Sequence, residues 1–108
     1  MVPRMALPEL VVVDAPDRHR YEATSGGELA GFAEYTPTPE LVVFTHTEVL
    51  PHHEGAGVGS ALVRFALDDV RARGLRALAV CPFVLGWIRR HPGYADLEYR
   101  SSTRAGID

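Results

Sequence analysis

Apolar residues recur at two different periods along this chain, and the switch between them divides it in two. Residues 9–14 hold the β-branched run Leu10-Val11-Val12-Val13 ahead of the turn chemistry of Asp14-Ala15-Pro16-Asp17, which predicts a short extended segment. Residues 19–24 alternate in part, and Ser25-Gly26-Gly27 turns them tightly into a hairpin partner over 28–36. After Pro37-Thr38-Pro39 comes a further strand at 41–50. Its first four residues are apolar on both faces, which predicts a central strand covered on both sides. Its second half sets His46 and Glu48 on one face and Thr45, Thr47 and Val49 on the other.

From residue 58 to 73 the period lengthens. Val63, Ala66, Leu67 and Val70 fall at i, i+3, i+4 and i+7, and Leu62 and Phe65 widen the stripe, so an amphipathic helix packs on the sheet. Arg64 with Asp68, and Asp69 with Arg73, are spaced as i,i+4 pairs on its outer side, and Gly74 stops it. Residues 75–81 read as another strand, ended by Pro82. A second helix at 83–91 places Val84, Trp87, Ile88 and His91 on one side, and Pro92-Gly93 breaks it. The fold class is α/β (α+β): a mixed, mostly antiparallel sheet with a central crossover helix and a short C-terminal helix. The crossover lays the last strand parallel to the third. With no repeat or linker, residues 1–108 form a single domain whose core runs from about 10 to 98.

Composition narrows the chemistry. At 108 residues and 46% hydrophobic, the chain can bury about 60–70% of its unfolded surface, enough for one core. Its 14 acidic and 11 basic residues give −3, too mild for a nucleic-acid footprint. Every basic residue is arginine, which excludes a Walker-A phosphate loop, a Schiff-base lysine and a lysine general base. Cys81 stands alone, so there is neither an internal disulfide nor a multi-cysteine metal site, in keeping with a reducing compartment. No apolar run is long enough for a membrane span or a signal peptide, and the chain reads as a soluble, cytoplasmic protein.

Between the central strand and the long helix lies Glu54-Gly55-Ala56-Gly57-Val58-Gly59-Ser60. Three glycines at every second position bare successive backbone N–H groups where a helix N-terminus adds its own, which suits a phosphate or pyrophosphate. A flexible turn in which the glycines only permit the bend explains the same spacing. A dinucleotide fingerprint fits poorly, because the next strand ends in Cys81 and Pro82 where that motif needs an acid.

The run from Val49 through Glu54 to Leu62 resembles the central motif of the GNAT N-acetyltransferases, a strand ending in valine followed by Arg/Gln-x-x-Gly-x-Gly/Ala opening a helix. Phe44-Thr45-His46-Thr47-Glu48-Val49, Cys81-Pro82-Phe83 and Arg89-Arg90-His91-Pro92-Gly93-Tyr94-Ala95-Asp96-Leu97 are similar to a subgroup of very small GNAT-like proteins. The resemblance spans residues 20 to 98. It implies a minimal GNAT-like fold that binds acetyl-CoA where two parallel strands splay apart, with direct transfer of acetyl to an amine. By the same resemblance the Val49 backbone pairs with the pantetheine arm and polarises the thioester carbonyl, the backbone of Gly55, Ala56, Gly57, Val58, Gly59 and Ser60 holds the pyrophosphate, and Leu50 and Glu54 belong to the same cofactor-binding stretch. Glu54 stands where the family has Arg or Gln, the family's general-acid tyrosine has no counterpart near Trp87, Ile88 and Arg89, and the helices that commonly wall the acceptor pocket are missing, since Ser25-Gly26-Gly27 closes the connection they would occupy. An open site follows, suited to an amine on a macromolecule or to a substrate held with a partner's help.

An attacking amine must lose a proton, so Glu48 and His46 are candidate bases; a solvated strand-end charge and a hydrogen-bonded histidine are the plain alternatives. Cys81 is a candidate acid or nucleophile, or a buried structural thiol. Arg89 is a candidate phosphate contact or a solvated residue near a helix C-terminus. Trp87 reads as core packing. Adjacent histidines such as His52 and His53 rarely reach one ion together, and no metal is assigned. The rival to an acetyltransferase is a binding module for CoA or a phosphate ligand that acts as a sensor or partner without turnover.

Overall fold

The computed structural model describes residues 9–100; the flanking parts of the 1–108 domain expectation lie outside the described residues. Five strands follow one another across a single sheet in chain order: β1 Leu10–Ala15, β2 Arg20–Ser25, β3 Glu28–Pro37, β4 Leu41–Val49 and β5 Arg76–Ala79. The first four are antiparallel neighbours. The strand β5 lies parallel to β4, the strand that precedes the crossover helix and the third after the short first segment, as the crossover predicts. Helix α1 spans Val58–Ala72 and helix α2 spans Pro82–Arg90.

Local chemistry accounts for these elements. Gly26 and Gly27 both take positive φ, 59° and 84°, as a two-residue hairpin turn with the twist of its strands requires. Leu62, Val63, Ala66, Leu67 and Val70 of α1 are all buried, while Phe65 is 40% exposed and meets the Tyr21 ring edge-on. Asp69 and Arg73 pair across one turn as their spacing predicts. Arg64 instead lies over the Trp87 ring, and Asp68 accepts from the Tyr94 hydroxyl, because aromatic partners from α2 and the turn after it are in reach. Pro82 opens α2, where its missing N–H costs nothing. A short 3-10 turn at Pro92–Leu97 leads the chain back along β5, where Tyr99 N–H donates to Ala77 O.

The core is one cluster between the sheet and the two helices, and burying a side chain such as Phe44, Leu62 or Leu67 contributes about 1.5–3 kcal/mol each. Val42 and Phe44 are 1% exposed, but Leu41 and Val43 are only half-buried, so β4 is covered on one side rather than two. Its register with β3 passes from Tyr35 opposite Phe44 to Glu34 opposite His46, which leaves Thr45 as an extra, bulged residue. Unbroken alternation would continue the buried row of Val42 and Phe44 into His46 and Glu48. With Thr45 bulged out of the ladder they turn outward, and Thr47, opposite the buried Ala33, turns toward the helices.

Candidate functional site

The pairing of β4 with β5 runs from Leu41 opposite Arg76 to Phe44 opposite Ala79. Beyond it, the N–H groups of Val80 and Cys81 both converge on Phe44 O, at 3.0 and 2.9 Å, and the chain turns into α2. Residues 45–49 of β4 therefore have β3 on one edge and an opening on the other. Leu50 N–H donates to Ala30 O of β3, and backbone direction alternates along a strand, so Val49 turns its N–H and C=O into the opening. Leu50 itself is committed to β3.

A 3-10 turn at Pro51–His53 carries the chain from Val49 to the glycines. Gly55 and Gly57 take φ of 82° and 78°, and a Cβ at either would meet nothing within 4 Å, so conformation rather than crowding selects glycine there. Gly59 answers to a different demand. It lies in the first turn of α1, and a Cβ on it would come within 2.8 Å of Phe83 Cζ. Helix α1 has no side-chain cap, and its first internal bond is Ala61 N–H to Gly57 O, so the N–H groups of Val58, Gly59 and Ser60 are the free donors of a helix N-terminus. Ala56 and Glu54 are exposed beside them, and Val58 is buried.

The candidate acid–base groups lie on two sides of the opening. His46 Nε2 and Glu48 Oε1 are 3.2 Å apart on the outer face, each side chain about half exposed, and the His46 ring leans on Phe32. Cys81 is 4% exposed on the helix side, where its thiol donates to Thr47 Oγ1 at 3.5 Å across the opening. Arg89 forks onto the buried carboxylate of Glu98, at 3.1 and 3.4 Å, and this ion pair keeps Glu98 below the usual carboxylate range. His53 is 3.6 Å from Glu28 through Nε2, and His52 is exposed. Among the described residues no group of three metal-ligating side chains gathers.

Three contributors escape sequence reasoning: the bulge at Thr45, the hydroxyl of Thr47, and the packing of Phe83 on Gly59. The signals were present as a threonine either side of His46 and as an aromatic two residues past Cys81, but each acquires its role only through a neighbour distant in the chain. Trp87 is buried as expected, and its indole N–H donates to Ser60 Oγ at 2.9 Å.

Residues 20–97 match the model of a family described as GCN5-related N-acetyl-transferase. A streptothricin acetyltransferase of Streptomyces lavendulae is 38% identical over 63 residues, which are 56% of this chain and 33% of that protein, so the chain spans about a third of that relative's length. A solution structure of a GCN5-like protein from Staphylococcus aureus shares the fold at 18% identity with a TM-score of 0.63, over 90% of this chain and 93% of that one. A GNAT family acetyltransferase from Brucella melitensis in complex with acetyl-CoA is 26% identical with a TM-score of 0.55, over 66% and 49% of the two chains. No helix among the described residues is long and apolar enough to cross a membrane.

Proposed function

Because the chain belongs to the GCN5-related N-acetyltransferase family, we propose that it binds acetyl-CoA along the free edge of β4 and transfers the acetyl group to an amine. The observation that carries this reading is the end of β4–β5 pairing at Phe44, with the Val49 backbone turned into the opening one short turn away from a bare helix N-terminus. The donor set suits the ligand. A pyrophosphate needs several N–H groups not already engaged, and the stretch from Gly55 to Ser60 has them, with open space at Gly55 and Gly57. An extended pantetheine arm can pair with Val49 as a missing strand would. The same N–H stabilises charge that develops on the thioester oxygen.

The two sides of the opening divide the proton transfers. On the outer face the amine gives its proton to Glu48, with His46 beside it, as nitrogen bonds to the carbonyl carbon. On the helix side the C–S bond breaks and sulfur takes a proton, for which the Cys81 thiol and the Thr47 hydroxyl are at hand. Arg89 is held by Glu98, so the phosphates rest on the donors of the glycine turn rather than on this guanidinium. The half exposure of His46 and Glu48 supports an open acceptor site that admits an amine carried on a larger molecule.

Calorimetric titration with acetyl-CoA, followed by incubation with a panel of amines while released thiol is measured, tests the reading. Saturable heat near one equivalent and amine-dependent thiol release are expected. No heat overturns the proposal, and heat without release from any amine reassigns the chain to a binding module.

A further inference from the structure

We propose that Trp87 is a positioning residue for phosphate binding: its indole N–H holds Ser60 so that the serine hydroxyl donates its proton to the pyrophosphate of CoA. This rests on the acetyl-CoA reading above and assigns that site a residue the glycine motif does not contain.

The argument starts from an inventory of protons. An indole nitrogen can only donate, so in the 2.9 Å contact between Trp87 Nε1 and Ser60 Oγ the serine oxygen must accept. The hydroxyl proton of Ser60 is then left to find an acceptor elsewhere, and among the described residues it makes no further hydrogen bond. Ser60 is the third residue of α1, and helical Cα–Cβ bonds tilt toward the N-terminus, which brings the hydroxyl alongside the free N–H groups of Val58 and Gly59. A serine released from its partner has another option, since it can turn back onto a carbonyl of the preceding turn and withdraw the proton. The bond from Trp87 opposes that rotation.

Trp87 is built to hold still. It is 1% exposed, its ring stacks on His91 at 3.7 Å with 10° between planes, Tyr94 meets it edge-on at 5.0 Å, and the Arg64 guanidinium lies 5.2 Å from its centroid. His91 Nδ1 also contacts Trp87 O at 2.7 Å, which ties the ring stack to the end of α2. A tryptophan used only for volume would need a partner for its N–H, but nothing in packing requires that partner to be the third residue of the glycine-led helix.

Trp87→Phe keeps an aromatic ring and removes the N–H. Acetyl-CoA and acetyl-pantetheine, which lacks the pyrophosphate, are titrated into the wild type, Trp87→Phe, Ser60→Ala and the double variant. Acetyl-CoA should bind about three- to tenfold more weakly to each single variant and no more weakly to the double, with acetyl-pantetheine affinity unchanged throughout. Unchanged acetyl-CoA affinity in the single variants, or an equal loss for both ligands, overturns the proposal. Because the chain has one tryptophan, its single indole N–H resonance gives a second readout on unmodified protein. Acetyl-CoA should shift that resonance and acetyl-pantetheine should not; a resonance that responds to neither, or equally to both, overturns the proposal even where a variant fails to fold. Wild type that binds no acetyl-CoA defeats the underlying reading, whereas wild type that binds and variants that bind equally well defeat only the role of Trp87.

Discussion

The bulge at Thr45 in β4 sets which side of the sheet receives the next four side chains. Because the strand bulges there, His46 and Glu48 turn outward while Thr47 reaches the thiol of Cys81, so in the proposed reaction a single bulge separates proton acceptor from proton donor. The departing thiolate of CoA is a good leaving group at neutral pH, since thiols titrate near 8.5, so an acid there contributes less than the hundredfold or more typical of general acids. Cys81→Ala should accordingly lower kcat by about tenfold and leave the KM for acetyl-CoA within twofold. Steady-state kinetics with circular dichroism as a control for folding checks this, and an unchanged kcat removes the thiol from the mechanism.

At the scale of elements, what could be read in the sequence was periodic. The stripe of α1, the glycine turn between β2 and β3 and the side of α2 bearing Trp87 each repeat within a window of ten or so residues, and the structure has all three. The bulge in β4 breaks a period by one residue, and a strand with apolar residues on both faces hides the break. Gly59 looked like its neighbours in the motif, but Phe83, 24 positions later, is what excludes a side chain there. Arg89 looked free for phosphate because Glu98 lies on another segment. The β1–β2 connection is an element whose electrostatics give a pH signature. Glu22 takes bonds from Arg18 and Arg20, and these hold its carboxyl down at about 2. A folded-state pKa below the unfolded one gives stability that is complete above about 4.5 and is lost as pH falls toward 2. Glu22→Gln should flatten this acid limb in thermal unfolding between pH 4.5 and 2, leaving the smaller slope that Asp96 and Glu98, also held low by arginines, supply. An unaltered slope would show that the two arginines hold Glu22 equally well in the unfolded chain.

Across the whole molecule, α1 joins two regions with different duties. Its N-terminus belongs to the glycine turn, while about 22 Å away its C-terminus closes a polar network over the far end of the strands. There the Tyr21 hydroxyl donates to Asp69 at 2.7 Å and the Tyr35 hydroxyl to Asp14 at 2.6 Å, and Arg73 reaches Asp69, Asp14 and Tyr21 at 2.8, 3.4 and 3.0 Å. Burial first, and then the adjoining carboxylates, push both phenols well above their ordinary range and keep them as protonated donors. Removing the guanidinium leaves two carboxylates facing buried phenols without their cation. Since Arg73 is 42% exposed, water screens part of the loss, and Arg73→Met should cost about 1–2 kcal/mol, or about 5–15 °C in Tm. The glycine turn is held by other contacts, Phe83 on Gly59 and Trp87 on Ser60, so the affinity for acetyl-CoA below the melting range should stay within twofold of wild type. Differential scanning calorimetry alongside isothermal titration separates the two quantities. A loss of affinity in step with the fall in Tm would mean that the far-end network, and not the packing between the two helices, sets the geometry of the turn.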